Sequence, residues 1–352
     1  MSLDRNPIRG RGSSDNPANR FTEDYTAYDL DEETGEKPTQ ETKLYPDDTK
    51  NIIATNKSPD IPFEASVNPY RGCEHGCIYC YARPTHEFLG FSAGLDFESR
   101  IMVKYDAPQK LRKTLSDPNW EPKVIVMSGV TDCYQPTERK LEITRGCLNV
   151  LAEFRNPVSI ITKNYLVTRD IDFLQELASH NAANVTVSVT TLDRDLARVM
   201  EPRTSQPNRR LQAIEKLANA GIPVGVNVAP IIPGLTDHEC VSILQAAREA
   251  GATRAGYTIL RLPYGVKDLF KDWLEQHFPD RKNKVLNKIR DMRGGKLNES
   301  KFGKRFSGEG KFAGQIADLF ALHCKKLGFN QEKRSLSTDA FKPVHGKQAE
   351  LF

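Results

Sequence analysis

A chain of 352 residues, 38% hydrophobic and 27% charged, has enough apolar content for one large α/β barrel or two ordinary domains. It contains no run of about 20 apolar residues of the kind a membrane span needs, and its N-terminus lacks the apolar core of a secretory signal, so a cytoplasmic, reducing setting without stable disulfides is expected. A formal net charge of +4 is too small to indicate a nucleic-acid partner by itself, although it is unevenly spread along the chain.

Residues 1–60 carry 8 Lys/Arg against 13 Asp/Glu, a net −5, and show no apolar period, which predicts a mostly disordered segment. From about residue 65, short β-branched runs alternate with amphipathic stretches. The predicted strands are 65–71, 123–128, 158–162, 185–191, 223–229 and 254–260, with helices near 107–116, 138–154, 170–179, 207–220 and 237–250. Six strands with intervening helices predict an α/β fold, a partial (β/α)6 barrel over 61–262, with a flat doubly wound sheet as the alternative. In either arrangement the chemistry belongs at the C-terminal ends of the strands. Residues 263–339 read as a basic helical extension and 340–352 as a flexible tail. From 265 to the end, 19 Lys/Arg face 11 Asp/Glu, a net +8.

Three of the seven cysteines fall in one loop after the first predicted strand, as Cys73-x3-Cys77-x2-Cys80 within NPYRGCEHGCIYCYAR. Three thiolates from so short a loop can wrap one cubane cluster and leave its fourth iron open to a small molecule. Zinc is the alternative, but it needs a fourth Cys or His that no nearby spacing supplies. His75, inside the loop, reads as a loop-shaping group. Cys147, Cys240 and Cys324 sit in helical patterns and are given no chemistry.

The Cys-x3-Cys-x2-Cys spacing, with Tyr79 just before the third cysteine, resembles the radical S-adenosylmethionine (AdoMet) superfamily. The segments DFESRIMVK at 96–104, SGVTDCYQPTE at 128–138, TTLDRDLARVMEPR at 190–203 and PIIPGLTD at 230–237 resemble its spore photoproduct lyase-related branch. The resemblance implies a [4Fe–4S] cluster on Cys73, Cys77 and Cys80, AdoMet on the open iron, and an electron donor such as flavodoxin or ferredoxin. A reduced cluster of this kind cleaves AdoMet, and the resulting 5′-deoxyadenosyl radical takes hydrogen from a substrate.

The resemblance places Thr131 and Asp132, after the second barrel strand, beside AdoMet, and Lys163 and Ser188 near its carboxylate or ribose. Arg203 could bind the AdoMet carboxylate or a substrate phosphate. Asp132 or Thr137 could instead cap the following helix, and the others could be ordinary strand-end or loop residues. Asn227 and Pro230 to Gly234 are expected where the family backbone passes the adenine, and Tyr79, Tyr81 and Tyr134 are expected around the site. Cys133, next to Asp132, is the candidate hydrogen donor to a substrate radical, with a core-filling thiol as the plain alternative.

The leading functional expectation is a radical AdoMet enzyme acting on damaged or modified nucleic acid, with the basic region 265–339 following phosphates. Lys/Arg and Phe interleave in KFGKRFSGEGKF at 301–312, which suits backbone contacts and stacking. A small-molecule or protein substrate, or an iron–sulfur redox or scaffold role without AdoMet turnover, are the alternatives. Gln348, Leu351 and Phe352, ending the chain, resemble the Gln-x-x-Leu-Phe peptide that docks on the bacterial β sliding clamp.

Overall fold

The β-branched runs form strands because each half-buries one face and needs neighbours to satisfy its backbone. The computed structural model describes residues 7–22, 41–332 and 335–343. In chain order it contains β1 (Lys43–Pro46), β2 (Ile53–Thr55), β3 (Ala65–Val67), β4 (Tyr70–Arg71), a 3-10 segment Arg83–Leu89, α1 (Leu95–Ser99), β5 (Arg100–Val103) and α2 (Ala107–Leu115). There follow β6 (Ile125–Met127), α3 (Glu138–Leu141), α4 (Ile143–Phe154), β7 (Val158–Thr162), a 3-10 segment Tyr165–Asp170, α5 (Ile171–Ser179), β8 (Ala183–Ser188) and α6 (Arg194–Met200). The chain continues through α7 (Pro207–Asn219), β9 (Val224–Ile231), a 3-10 turn Asp237–Glu239, α8 (Cys240–Glu249), β10 (Arg254–Ile259), α9 (Val266–His277), α10 (Pro279–Asp291) and α11 (Gly310–Leu327).

Seven strands hydrogen-bond in the order β10-β9-β8-β7-β6-β3-β2, and every pair from β3 to β10 is parallel. Each of the six parallel strands lies beside its predecessor. A doubly wound sheet requires the order to reverse at a switch point, and here it never reverses, so the fold is the singly wound, open barrel. β2 adds antiparallel to β3 at one edge. A second, three-stranded sheet, β1-β5-β4, was not expected, because its strands are short and two of them lie beside polar segments.

The helices cover the outer face with the periodicity the sequence shows. α2 buries Ala107, Leu111 and Leu115, and α8 buries Cys240, Ile243, Leu244 and Ala247, both at helical spacing. α11 packs Ile316, Phe320 and Cys324 into the same core, with Phe320 4.6 Å from Tyr257 of β10. It thus fills the helix position that follows the last strand. A second core joins α9 and α10 to the cysteine loop: Phe270, Trp273, Val285 and Ile289 pack with Cys77, Ile78, Tyr79 and Met200.

Within the N-terminal segment expected to be mostly disordered, residues 7–22 and 41–60 are in place. Three polar side chains of the first stretch are spent on the protein. Ser13, Asn16 and Asn19 are buried, with Asn16 and Asp96 exchanging two hydrogen bonds and Asn19 donating to the carbonyls of Glu87 and Phe91. The clamp-like end, Gln348, Leu351 and Phe352, lies outside the described residues. Among the described residues no helix is long and apolar enough to cross a membrane.

Candidate active site

The ends of β3 and β6 to β10 open onto one cavity of about 550 Å³. Its lining includes Cys73, Cys77 and Cys80, the expected residues Thr131, Asp132, Lys163 and Ser188, and Asn227 and Pro230. These positions come from five separate strand ends, and Thr258 to Arg261 of β10 add a sixth, which is what a parallel barrel does with its C-terminal face.

The cysteine loop turns at Gly72 and Gly76, both at positive φ, and it is pinned from beneath by Arg83. That side chain is wholly buried and donates to the carbonyls of Cys77 and Gly76 at 3.0 and 3.1 Å. It also pairs with the equally buried Glu98 at 2.5 Å, so the charge is compensated inside the protein. Burial pushes all three thiols above the ordinary value, most strongly at Cys73, where Asp132 and the other thiols add to it. Thiols in such a place become thiolates when a metal supplies positive charge.

His75 does not offer a fourth ligand. Its Nδ1 lies 3.3 Å from the Asp132 carboxylate and its Nε2 3.2 Å from the Asn164 amide, so both ring nitrogens are taken. Among the described residues no three His, Cys, Asp or Glu side chains gather as a single-ion site. A cubane spreads its thiolates over separate irons and does not require such convergence. Three clustered thiols without a fourth donor among the described residues therefore fit a cluster with one open iron.

Asp132 lines the cavity, yet its carboxylate is occupied. It accepts from the Thr162 hydroxyl at 2.8 Å, the Lys163 amide at 2.8 Å and the Tyr134 amide at 2.9 Å, besides facing His75. Burial opposes its charge, but His75 and these donors hold its pKa below the usual value. Thr131 likewise lends its hydroxyl to the Tyr70 carbonyl at 2.8 Å. Lys163 sends its ammonium to the Ala229 carbonyl at 2.9 Å, 3.7 Å from Glu201 and over the ring of Tyr79.

Glu201 organises the far side of this lysine. It is 1% exposed, accepts from Tyr79 and Thr190, and pairs with the buried Arg210. Burial raises a carboxyl, yet Arg210 and then Lys163 bring Glu201 down to about 2. The same turn carries Arg203, expected to meet a carboxylate or phosphate. Arg203 is not among the lining residues: it pairs with Glu74 at 3.0 Å and donates to Thr42 at 3.1 Å.

Cys133 and Tyr134 also fall outside the lining. Cys133 is fully buried in the main core beneath the loop, and the Tyr134 hydroxyl donates to Asp170 at 3.1 Å. Both lie in the loop past the end of β6, and the core takes both. Three further wall elements carried no clear signal: residues 60–63, Arg261 and Phe306. Arg261 stands just past the sixth predicted strand, where the strand-end rule points, whereas Phe306 arrives from the C-terminal extension. The Ile259 amide donates to the Phe306 carbonyl at 2.8 Å, and Arg305 grips Asp60. The basic run 301–305 is therefore partly consumed, since Lys304 pairs with Glu309 and Arg305 with Asp60.

Residues 67–247 match the family model described as the Radical SAM superfamily. An uncharacterised protein of Mycobacterium tuberculosis is 37% identical over 232 residues, covering 64% of this chain and 68% of its own length. An uncharacterised protein of Methanocaldococcus jannaschii is 29% identical over 239 residues, covering 68% and 85%. Among solved structures, spore photoproduct lyase complexed with dinucleoside spore photoproduct superposes with a TM-score of 0.56 at 18% identity, over 81% of this chain and 80% of that one. A variant of the same lyase, solved with bound AdoMet, superposes with a TM-score of 0.54.

Proposed function

This chain belongs to the radical SAM superfamily, and on that premise we propose that it reductively cleaves AdoMet at a [4Fe–4S] cluster to abstract hydrogen from a modified or damaged nucleotide in nucleic acid. The observation that carries the reading is the convergence of three thiols, two buried and that of Cys80 half-buried, without a fourth donor among the described residues, on the cavity that also receives Lys163 and Ser188. Cys73, Cys77 and Cys80 would hold the cluster, which would supply the one-electron chemistry of AdoMet cleavage, with flavodoxin or ferredoxin as the proposed electron donor.

The chain's own residues do the rest. Lys163 presents a cation to the AdoMet carboxylate or ribose, and Glu201 with Arg210 holds that ammonium in place without neutralising it. Ser188 and the Thr131–Asp132 turn shape the walls beside it. Asp132 orients His75 and the end of β7, so the loop and the lysine are fixed relative to each other. The nucleic-acid part is supported by likeness of fold to a lyase solved with a dinucleoside lesion. A cavity of about 550 Å³ suits a small molecule or one nucleotide turned out of its strand, not a duplex.

The test is anaerobic reconstitution followed by assay of 5′-deoxyadenosine. The wild-type protein should bind iron and form the product, and Cys73→Ala, Cys77→Ala and Cys80→Ala should each lose the brown chromophore and the activity. A triple variant that still cleaves AdoMet would refute the reading. Damaged DNA, RNA and cell extract are then offered in turn, with substrate deuterium appearing in 5′-deoxyadenosine as the readout. Transfer from the extract alone would replace nucleic acid by a small molecule.

A further inference from the structure

Buried arginines in this protein are matched by acids or carbonyls. Arg83 has Glu98, Arg210 has Glu201, and Arg293 donates to the carbonyls of Lys304, Ile259 and Leu260. Arg261 differs. It follows β10, lines the cavity, and its Nε is buried without a hydrogen-bond partner among the described residues. Its guanidinium sits 5.7 Å from the ring of Tyr81 and 5.2 Å from that of Phe306, both of which line the same wall.

A second guanidinium stands on the other side of Phe306. Arg305 lies 4.8 Å from that ring, but it is answered by Asp60, with Nε at 2.8 Å and Nη2 at 2.5 Å from the carboxylate. Two cations thus share one carboxylate, and the surplus charge belongs to Arg261. Burial, and then the repulsion from Arg305, lower the pKa of Arg261. An arginine so placed remains charged, and its planar fork matches the two oxygens of a carboxylate or phosphate.

We propose that Arg261 receives an anionic oxygen group, phosphate or carboxylate, of the molecule that yields its hydrogen, while Tyr81 and Phe306 cover the apolar part beside it. The proposal rests on the radical SAM reading of the cavity. It goes beyond that reading by assigning the substrate a charge and a place. Lys163 and Ser188, the groups assigned to AdoMet, come from β7 and β8; Arg261 comes from the last strand, on the wall built by residues 60–63 and 306.

The experiment uses the full chain with its cluster reconstituted and AdoMet bound. A nucleoside 5′-monophosphate is compared with its nucleoside, and benzoate with benzamide, by equilibrium dialysis. At least one anion should bind about tenfold more tightly than its neutral partner, the scale of a charge-assisted hydrogen bond. In Arg261→Gln that preference should shrink to about twofold or less, and Arg261→Lys should recover part of it, because charge remains while the fork is lost.

Preference for the monophosphate alone identifies a phosphate, and preference for benzoate alone a carboxylate. If neither pair is discriminated by the wild type, or if Arg261→Gln keeps the full preference, the proposal fails. AdoMet affinity is measured in the same preparations. A loss of about tenfold in Arg261→Gln would assign the arginine to AdoMet and equally overturn the proposal. Wild-type protein that prefers the anion but forms no 5′-deoxyadenosine would sink the radical reading and leave the anion site standing.

Discussion

The sharpest lesson at the residue scale comes from Asp132 and Cys133, adjacent in sequence and opposite in fate. Asp132 turns into the cavity and spends its oxygens on Thr162, Lys163, Tyr134 and His75; Cys133 turns away and is fully buried. Removing its sulfur should therefore act through packing. Cys133→Ala is expected to cost about 1 kcal/mol of stability, the order for deleting one buried heavy atom, and to leave the ratio of products to 5′-deoxyadenosine unchanged. A changed product or uncoupled turnover would restore hydrogen return to Cys133.

His86 provides a pH prediction at the same scale. It is buried against Phe91 and Phe97, its Nε2 lies 2.9 Å from the Arg100 carbonyl, and its Nδ1 has no hydrogen-bond partner among the described residues. Burial pushes its pKa from 6.5 down to about 4. The folded value is depressed, so the stability linked to neutral His86 is fully present above pH 6.5 and is lost as pH falls through about 4. The total is about 3 kcal/mol at 1.36 kcal/mol per pH unit. Urea midpoints of the cluster-free protein should fall across that window, and His86→Asn should flatten the fall. Identical slopes for both proteins would show that other groups govern the acid limb.

At the scale of elements, the N-terminal stretch around residues 11–19 behaves as a strap on the cysteine loop. The amides of Gly12 and Ser13 donate to the two oxygens of Glu98, both at 2.9 Å, completing the buried Arg83–Glu98 pair. A Cβ at Gly12 would lie 1.7 Å from the Gly76 carbonyl oxygen, and one at Gly94 would lie 2.0 Å from that of Asp15. The strap thus runs in backbone contact with the loop that carries Cys73, Cys77 and Cys80. Gly12→Val, or removal of residues 1–20, leaves Glu98 with two lost donors in a dry site, each worth about 1.5–3 kcal/mol when the acceptor is charged. Hydrogen exchange at residues 72–82 should speed up, and reconstituted protein should lose iron to a chelator at least about tenfold faster. Wild-type exchange and iron retention in the truncated protein would make the strap an ornament.

For the whole molecule, the open barrel raises the question of what stands between its edge strands. Residues 58–63, next to β2 and β3, meet residues 301–306 through Asp60, which accepts from Arg305 and from the Gly303 amide at 3.1 Å, while Phe306 is tied to β10. Segments more than 240 residues apart thereby close one wall together. Arg305→Ala should raise hydrogen exchange in both segments at once, whereas Lys301→Ala, at an exposed position, should raise neither. Independent responses would mean that the two segments are not one unit. The same contacts take Arg305 out of the basic run 301–305, as Glu309 takes Lys304: a charge counted along the chain says nothing about the acid it meets in space.

The sequence by itself determined the spacing of Cys73, Cys77 and Cys80, because three cysteines in one loop are a local fact. It also determined the six parallel strands and most of their helices, because apolar periodicity is local too, and the family resemblance then pointed to Lys163 and Ser188 at the strand ends. Only the tertiary structure decided the rest. Whether the turn at 200–203 sends Glu201 or Arg203 inward depends on a rotation of the backbone that no period encodes. Which arginine is left unmatched depends on pairs such as Asp60 with Arg305 and Arg210 with Glu201, formed when distant segments pack. Burial, charge compensation and cavity walls are properties of those encounters, and the order of residues along the chain does not contain them in readable form.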